Sequence, residues 1–199
     1  NHISVEQGLS NPAVKKIIQD RFGFIWIATE DGLNKYDGYH FTVYQNNPND
    51  STSIADNWIT SLCLGRDGTL WIGLRNLLVR MDPVTRETRK YRPIDLQKLA
   101  GRTIKNRGNP LKAIEEGPEG NLWVAGDNHL FIFNIENEEF ESIEYESASK
   151  MSDTWIESYA MARDREGKVW IGVNPGCICV DLQERSAKSI LGEDRTDYF

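Results

Sequence analysis

The sequence predicts an all-β fold, a β-propeller of about four blades, each made of four antiparallel strands. Three observations predict it. One short phrase recurs four times along the 199 residues, apolar residues alternate with period two between turns, and Gly or Pro punctuates every 10 to 15 residues, which leaves helix little support.

The phrase is Gly, any residue, an apolar residue, Trp, Ile or Val, then Gly or Ala. It reads Gly23-Phe24-Ile25-Trp26-Ile27-Ala28, Gly68-Thr69-Leu70-Trp71-Ile72-Gly73, Gly120-Asn121-Leu122-Trp123-Val124-Ala125 and Gly167-Lys168-Val169-Trp170-Ile171-Gly172. The tryptophans are spaced by 45, 52 and 47 residues and are four of the six in the chain, a regularity that chance does not supply. Four strands in roughly 40 to 50 residues is the unit of a propeller blade.

Each phrase has the same neighbours. An alternating segment precedes it, Val14 to Gln19, Ile59 to Leu64, Leu111 to Glu115 or Tyr159 to Ala162, and reads as a first strand. A polar turn then leads to the phrase's own glycine, which supplies the positive φ of a tight hairpin. The Trp strand follows, then a short polar loop, then a third strand ending in Tyr36-Asp37, Met81-Asp82, Phe133-Asn134 or Val180-Asp181. Those Asp and Asn residues begin the next turn, and a fourth strand closes the unit at His40 to Tyr44, Thr88 to Tyr91, Phe140 to Tyr145 and Ala187 to Leu191. The chain thus reads as one propeller unit over 1–199, with blades at about 12–45, 57–92, 109–146 and 154–192 and an N-terminal strand or lead-in at 1–11. Trp26, Trp71, Trp123 and Trp170, with Gly23, Gly68, Gly120 and Gly167, form the structural core of the repeat: the indoles fill the wedge between blades, and a small residue two places after each Trp permits close approach. One short helical turn is expected at Pro93 to Leu99, inside the longest spacing.

Bulk properties exclude several function classes. A net charge of −7 with scattered Lys and Arg offers no basic stripe, so nucleic acid is not an expected partner. No apolar run approaches the ~20 residues of a membrane span, and Asn1 to Ser10 lacks the regions of a signal peptide, so any anchor is expected on a segment absent here. The cysteines number three: Cys63 stands alone, while Cys177 and Cys179 fall on one face of a strand about 6.5 to 7 Å apart, marginal for a disulfide, and free thiols are expected. His2, His40 and His129 lie far apart, so neither a metal nor any other cofactor is expected.

The run Gln19-Asp20-Arg21-Phe22-Gly23-Phe24-Ile25-Trp26-Ile27-Ala28-Thr29, with Gly32-Leu33 and Tyr36-Asp37-Gly38, resembles the regulator-propeller repeat of hybrid two-component systems. Gln7-Gly8-Leu9-Ser10-Asn11 is similar to the opening of that family's sensor region. The likeness is strongest in the first blade, and the Gly-Leu pair is replaced later by Asn76-Leu77, His129-Leu130 and Gly176-Cys177. The resemblance implies a periplasmic sensor of glycan-derived oligosaccharides in Bacteroides-like bacteria, whose parent continues into a membrane helix, a histidine kinase, a receiver and a DNA-binding module. It implies that this chain itself catalyses nothing. Because such propellers usually have more than four blades, it also implies part of a larger ring with self-association through uncovered blade faces, in which His2-Ile3-Ser4 is a strand that completes the last blade. Closure of a compact four-blade ring is the alternative.

Ligands of propellers meet the loops that join second to third strands and blade to blade. The candidate surface is Glu30, Asp31, Arg75, Asn76, Asp127, Asn128, His129 and Asn174, with longer loops near 46–57, 102–109 and 147–155. Amide, carboxylate and guanidinium groups there match sugar hydroxyls, Trp58 and Trp155 lie outside the repeated phrase and offer stacking surfaces, and Arg75 is suited to gripping an acidic sugar or sulfate. The plainer reading stands beside this, since Asn and Asp in loops are ordinary turn formers and both tryptophans begin apolar strands. A structural protein-interaction propeller and a carbohydrate-active propeller enzyme are the alternative functions. The enzyme needs a paired acid and base, for which Glu30, Asp31 and Asp127 are the available carboxylates.

Overall fold

The computed structural model describes residues 3–93, 110–117, 120–126, 129–144, 160–173 and 176–190. They form four separate four-stranded antiparallel sheets, each a meander in which strands neighbour in chain order. Blade one is β1 (Val14–Gln19), β2 (Ile25–Thr29), β3 (Gly32–Tyr36) and β4 (Phe41–Tyr44). Blade two is β5 (Ser61–Leu64), β6 (Leu70–Leu74), β7 (Leu77–Met81) and β8 (Thr88–Tyr91). Blade three is β9 (Ala113–Glu116), β10 (Asn121–Ala125), β11 (His129–Asn134) and β12 (Glu139–Glu144), and blade four is β13 (Ala160–Arg163), β14 (Val169–Gly172), β15 (Cys177–Asp181) and β16 (Ser186–Ile190). The first strands pack side by side in the order β1, β5, β9, β13, so the blades fan around them as in a propeller. No helix among the described residues is long and apolar enough to cross a membrane. The short helical turn expected at 93–99 falls outside the described residues from 94 onward.

The period-two alternation gives each blade two faces, and the faces stack in one direction. Trp26, Ala28 and Leu33 of blade one bury against Leu62, Leu70, Ile72, Val79 and Met81 of blade two. Trp71 and Leu78 of blade two meet Ile114, Leu122, Val124, Phe131 and Phe133 of blade three, and Trp123, Ala125 and Leu130 meet Met161, Val169, Ile171, Ile178 and Val180 of blade four. Each indole therefore packs on the blade that follows it. Trp26, Trp71 and Trp123 are buried, whereas Trp170, with no described blade beyond it, is half-exposed.

Turn chemistry repeats as well. Asp37 Oδ1 accepts the N–H groups of Tyr39 and His40 at 2.8 and 2.7 Å, and Asp82, Asn134 and Asp181 do the same for residues two and three places on. The β1–β2 turn of blade one is pinned by Asp20, whose carboxylate accepts from Phe22 and Phe24 N–H and, at 2.8 Å, from the Trp26 indole N–H. Asp164 repeats this toward Trp170 at 2.7 Å. Blades two and three carry Gly65 and Gly117 at that place, and a β-carbon on Gly117 would fall 2.6 Å from the Trp123 ring.

The N-terminal segment is not a strand among its described residues. Val5–Gln7 is a single 3-10 turn closed by a capping box between Ser4 and Gln7, which takes up the backbone groups a strand would need for pairing. Ser10 then holds the segment to blade one, its N–H donating to Asn34 Oδ1 at 2.9 Å and its hydroxyl sharing a hydrogen bond with Thr29 Oγ1.

Candidate ligand-binding face

In a meander, the turns between second and third strands and the linkers between blades emerge at one end. In blade one that end carries Glu30 and Asp31, and in blade two Arg75 and Asn76. Register shows that Glu30 and Arg75 hold the same turn position, because Ala28 pairs with Leu33 as Gly73 pairs with Leu78. The pair equivalent to Gly32-Leu33 is therefore Leu77-Leu78, not Asn76-Leu77. The sequence comparison was misled by one position because Asn76 imitates glycine, taking a φ of 60° in the turn.

The polar groups of this end are mostly occupied. Glu30 is ion-paired to Lys15 at 2.6 Å, and Asp31 Oδ1 accepts from Asn57 Nδ2 at 2.9 Å. The linker 46–57 is folded on itself: Asn46 N–H donates to Asn57 Oδ1, Asn46 Nδ2 to the Ile54 carbonyl, Asn47 N–H to Ser53 Oγ and Thr52 N–H to Asp50 Oδ1. The Thr52 hydroxyl, and then its N–H, both donating to Asp50 Oδ1, hold the Asp50 carboxyl below the usual carboxylate range. For most Asn, Asp and Ser residues of this linker, the plainer reading as turn formers describes what they do. Glu30 and Asp31, committed to Lys15 and Asn57, are not arranged as an acid–base pair.

Trp58 and Arg75 differ. Seventeen residues apart and on different loops, they meet with the guanidinium carbon 5.0 Å from the centre of the indole ring, and both are exposed. Trp58 is set by the Asp56 carboxylate, which accepts its N–H at 3.0 Å, and by Ile59, whose N–H donates to the Thr29 carbonyl of blade one. Arg75 is set by the short β6–β7 turn and by a backbone bridge to Pro110. The outcome is a platform of indole with the guanidinium over its ring, next to Asn76, where the linker entering blade two meets the β6–β7 turn. His129 opens β11 of blade three, paired with Glu144. Asp127, Asn128, Asn174 and Trp155 lie outside the described residues, as do the loops 102–109 and 147–155.

Two open grooves lie at the opposite end, among the turns that follow the first and third strands of blades two to four. One of about 350 Å³ runs between blades two and three beside Arg66, Trp71 and Glu116. The other, about 630 Å³, lies on blade four beside Asp164, Trp170, Cys179 and Lys188. Neither carries a signal in the local sequence, because both depend on how neighbouring sheets splay. All three cysteines are free thiols, and burial pushes the Cys63 thiol up to about 11.

Comparison with known proteins agrees with the repeat. Residues 8–31 and 53–76 match the two component regulator propeller family, each stretch running from the lead-in through the Trp strand. The matched stretches take in β1 and β2 of blade one and β5 and β6 of blade two. A 48-residue stretch is 56% identical to histidine kinase P4 of Formosa agariphila, covering 24% of this chain and 4% of that protein. Propeller architecture is also seen in solved structures. The extracellular domain assigned to a hybrid two component system from B. thetaiotaomicron superposes with a TM-score of 0.65 at 20% identity, over 94% of this chain and 26% of that one. The RRP9 WD40 repeats superpose with a TM-score of 0.62 at 11% identity, over 90% and 51% of the two chains. At these identities the likeness is one of fold, and the chain spans only a small part of the length of the first two relatives.

Proposed function

We propose that this chain belongs to the extracytoplasmic, periplasmic sensor region of a hybrid two-component receptor, where it binds a glycan-derived oligosaccharide and passes the signal to a kinase carried elsewhere in the parent. The observation that carries the ligand reading is the Trp58–Arg75 platform. Indole offers an apolar face that matches the C–H face of a pyranose, and the guanidinium packed over the ring brings N–H donors for hydroxyls or acidic substituents. The regulator-propeller repeats of blades one and two support the receptor context.

A panel of neutral, uronate-bearing and sulfated oligosaccharides titrated into the protein tests this by tryptophan fluorescence and calorimetry. Binding of a panel member without release of product, weakened about tenfold or more by Trp58→Ala and by Arg75→Ala, is expected; loss of a stacking or charge-assisted contact is of that size. Binding that neither substitution alters overturns the assigned face. Product release makes the chain an enzyme, and indifference to every saccharide favours a protein-interaction scaffold.

A further inference from the structure

A hydrogen bond made in blades one and four is missing from blade two. In those two blades the residue six places before the repeat's Trp is an aspartate, and its carboxylate accepts from the indole N–H, Asp20 from Trp26 at 2.8 Å and Asp164 from Trp170 at 2.7 Å. Blade two has Gly65 at that place. Trp71, only 2% exposed, finds no acceptor for its Nε1–H among the described residues. A buried donor without a partner is costly, and in folded proteins it marks a strained or functional place, or one filled by a bound molecule.

The indole N–H of Trp71 faces open space. A β-carbon on Gly65 would lie 3.3 Å from Trp71 Nε1 and 2.8 Å from Asp67 Oδ1, and Gly65 and Trp71 both line the groove of about 350 Å³ between blades two and three. The room beside the glycine is thus flanked by a donor on one side and a carboxylate on the other. Asp67 does not take the indole N–H, because its oxygens accept from the N–H and hydroxyl of Thr69 and pair with Arg80. Blade three shows the closed alternative: beside Gly117 the Trp123 ring itself fills the space, its Nε1 2.7 Å from where a β-carbon would stand. Further along the groove, Glu116 is held by the Arg66 N–H at 2.6 Å, and Asn134 Oδ1 accepts from two turn N–H groups, which leaves its Nδ2 to donate.

We infer that this groove binds a neutral sugar, one hydroxyl of which stands where blade one has its aspartate, accepting from Trp71 Nε1–H and donating to a neighbouring carboxylate. A hydroxyl fits because it both donates and accepts. A carboxylate or sulfate would meet Asp67, Glu116 and Glu136 with Arg66 as the one cation in the lining. A cation would face the positive edge of the indole. The Asn134 amide and the Glu116 carboxylate add partners for further hydroxyls, which a pyranose presents and a simple alcohol does not. The groove lies at the opposite end from the Trp58–Arg75 platform and uses none of its residues, so the two sites are independent.

Heteronuclear NMR tests the inference, because it resolves the indole N–H groups one by one. Trp71 and Trp58 are assigned through Trp71→Phe and Trp58→Phe, so the two ends are read separately. The methyl glycosides of glucose, galactose, mannose and glucuronic acid are titrated to about 50 mM, enough to reveal millimolar dissociation constants. The expected result is a saturable shift of the Trp71 resonance with at least one neutral glycoside and a weaker response to the glucuronide. Gly65→Ser brings a hydroxyl of the chain's own into the vacated room, and the Asp67 oxygen it approaches is the end of an exposed side chain that can give way. This variant weakens binding about tenfold or more, and Trp71→Phe, which keeps a ring in the core but removes the N–H, does the same by calorimetry. A Trp71 resonance that no glycoside moves, which would leave water as the groove's only guest, overturns the inference, as does a shift that Gly65→Ser leaves unchanged or tighter binding of the glucuronide.

Discussion

Gly73 and Gly172 are the same residue of the repeat in two environments, and substituting each with alanine reads the closeness of blade packing. At Gly73 the added methyl would run into Ser61 Oγ and sit 2.6 Å from the Leu111 carbonyl oxygen and 3.1 Å from Ile114 Cδ1. Two of those neighbours cannot swing aside. The Ser61 hydroxyl is spent donating to the Leu111 carbonyl, which also accepts from Thr60 Oγ1 at 2.7 Å, so the methyl must push blade three away from blade two. Overpacking of this kind costs about 1–3 kcal/mol. At Gly172 only the backbone of Ala160 on the neighbouring strand lies within 4 Å among the described residues, and replacing a strand glycine with alanine returns about 0.5–1 kcal/mol of backbone entropy. For a chain of this size 1 kcal/mol moves the melting temperature by about 2–4 °C. Thermal unfolding at low protein concentration is therefore expected to show Gly73→Ala melting about 2–12 °C below the parent, and Gly172→Ala melting level with it or slightly above. Equal losses at the two positions would refute the reasoning, since they would place a packed neighbour on blade four's outer face.

Two further outcomes follow from the turns and thiols. Backbone N–H donors hold the Asp37 and Asp82 carboxyls below their ordinary value, so the ionised form is favoured in the folded state and its contribution, complete above about pH 4, is lost as the pH falls further. Asn keeps an acceptor at the same atom, as native Asn134 shows in blade three; the double variant Asp37→Asn, Asp82→Asn should thus melt lower at pH 7 but lose less stability on acidification, and parallel melting curves from pH 7 to 3 would contradict this. With its thiol near 11, Cys63 holds only about one part in a thousand thiolate at pH 8, so a disulfide reagent should modify Cys177 and Cys179 well before Cys63, which reacts fully only on unfolding; simultaneous reaction of all three would mean that the contact between blades two and three opens readily.

Strand positions were legible where local pattern alone decides them. Val14–Gln19 and Thr88–Tyr91 lie where alternation and turn residues put them. Where the sequence reading began the first strand of blade two at Ile59, the sheet begins at Ser61, because the Ile59 N–H is drawn across to the Thr29 carbonyl of blade one. Leu111, read as the start of the next first strand, likewise donates to the Leu74 carbonyl of blade two, and β9 starts at Ala113. Apolar residues at those places serve contacts between blades, which a period-two pattern cannot tell from a strand. The candidate face was legible as a set of loops but not as a platform: nothing in a list of turn residues says that Trp58 and Arg75 touch, while Glu30 and Asp31, equally eligible, are committed to Lys15 and Asn57.

The same register explains why recognition can vary on this scaffold without loss of the fold. Glu30 and Arg75 occupy one turn position in successive blades, yet they carry opposite charges and have different partners, an ion pair in one case and an indole in the other. Two strand residues away, on the face shared with the Trp, Ala28 and Gly73 stay small because the neighbouring blade leaves no room. Stability therefore resides in the strand faces, where each blade is held by the next, as in other repeat folds. The turn side chains Glu30 and Arg75 are instead exposed or half-exposed and contact Lys15 and Trp58, outside the three buried clusters. On the proposed function, a change at position 75 alters what the face binds and leaves the packing of Trp26, Trp71 and Trp123 untouched.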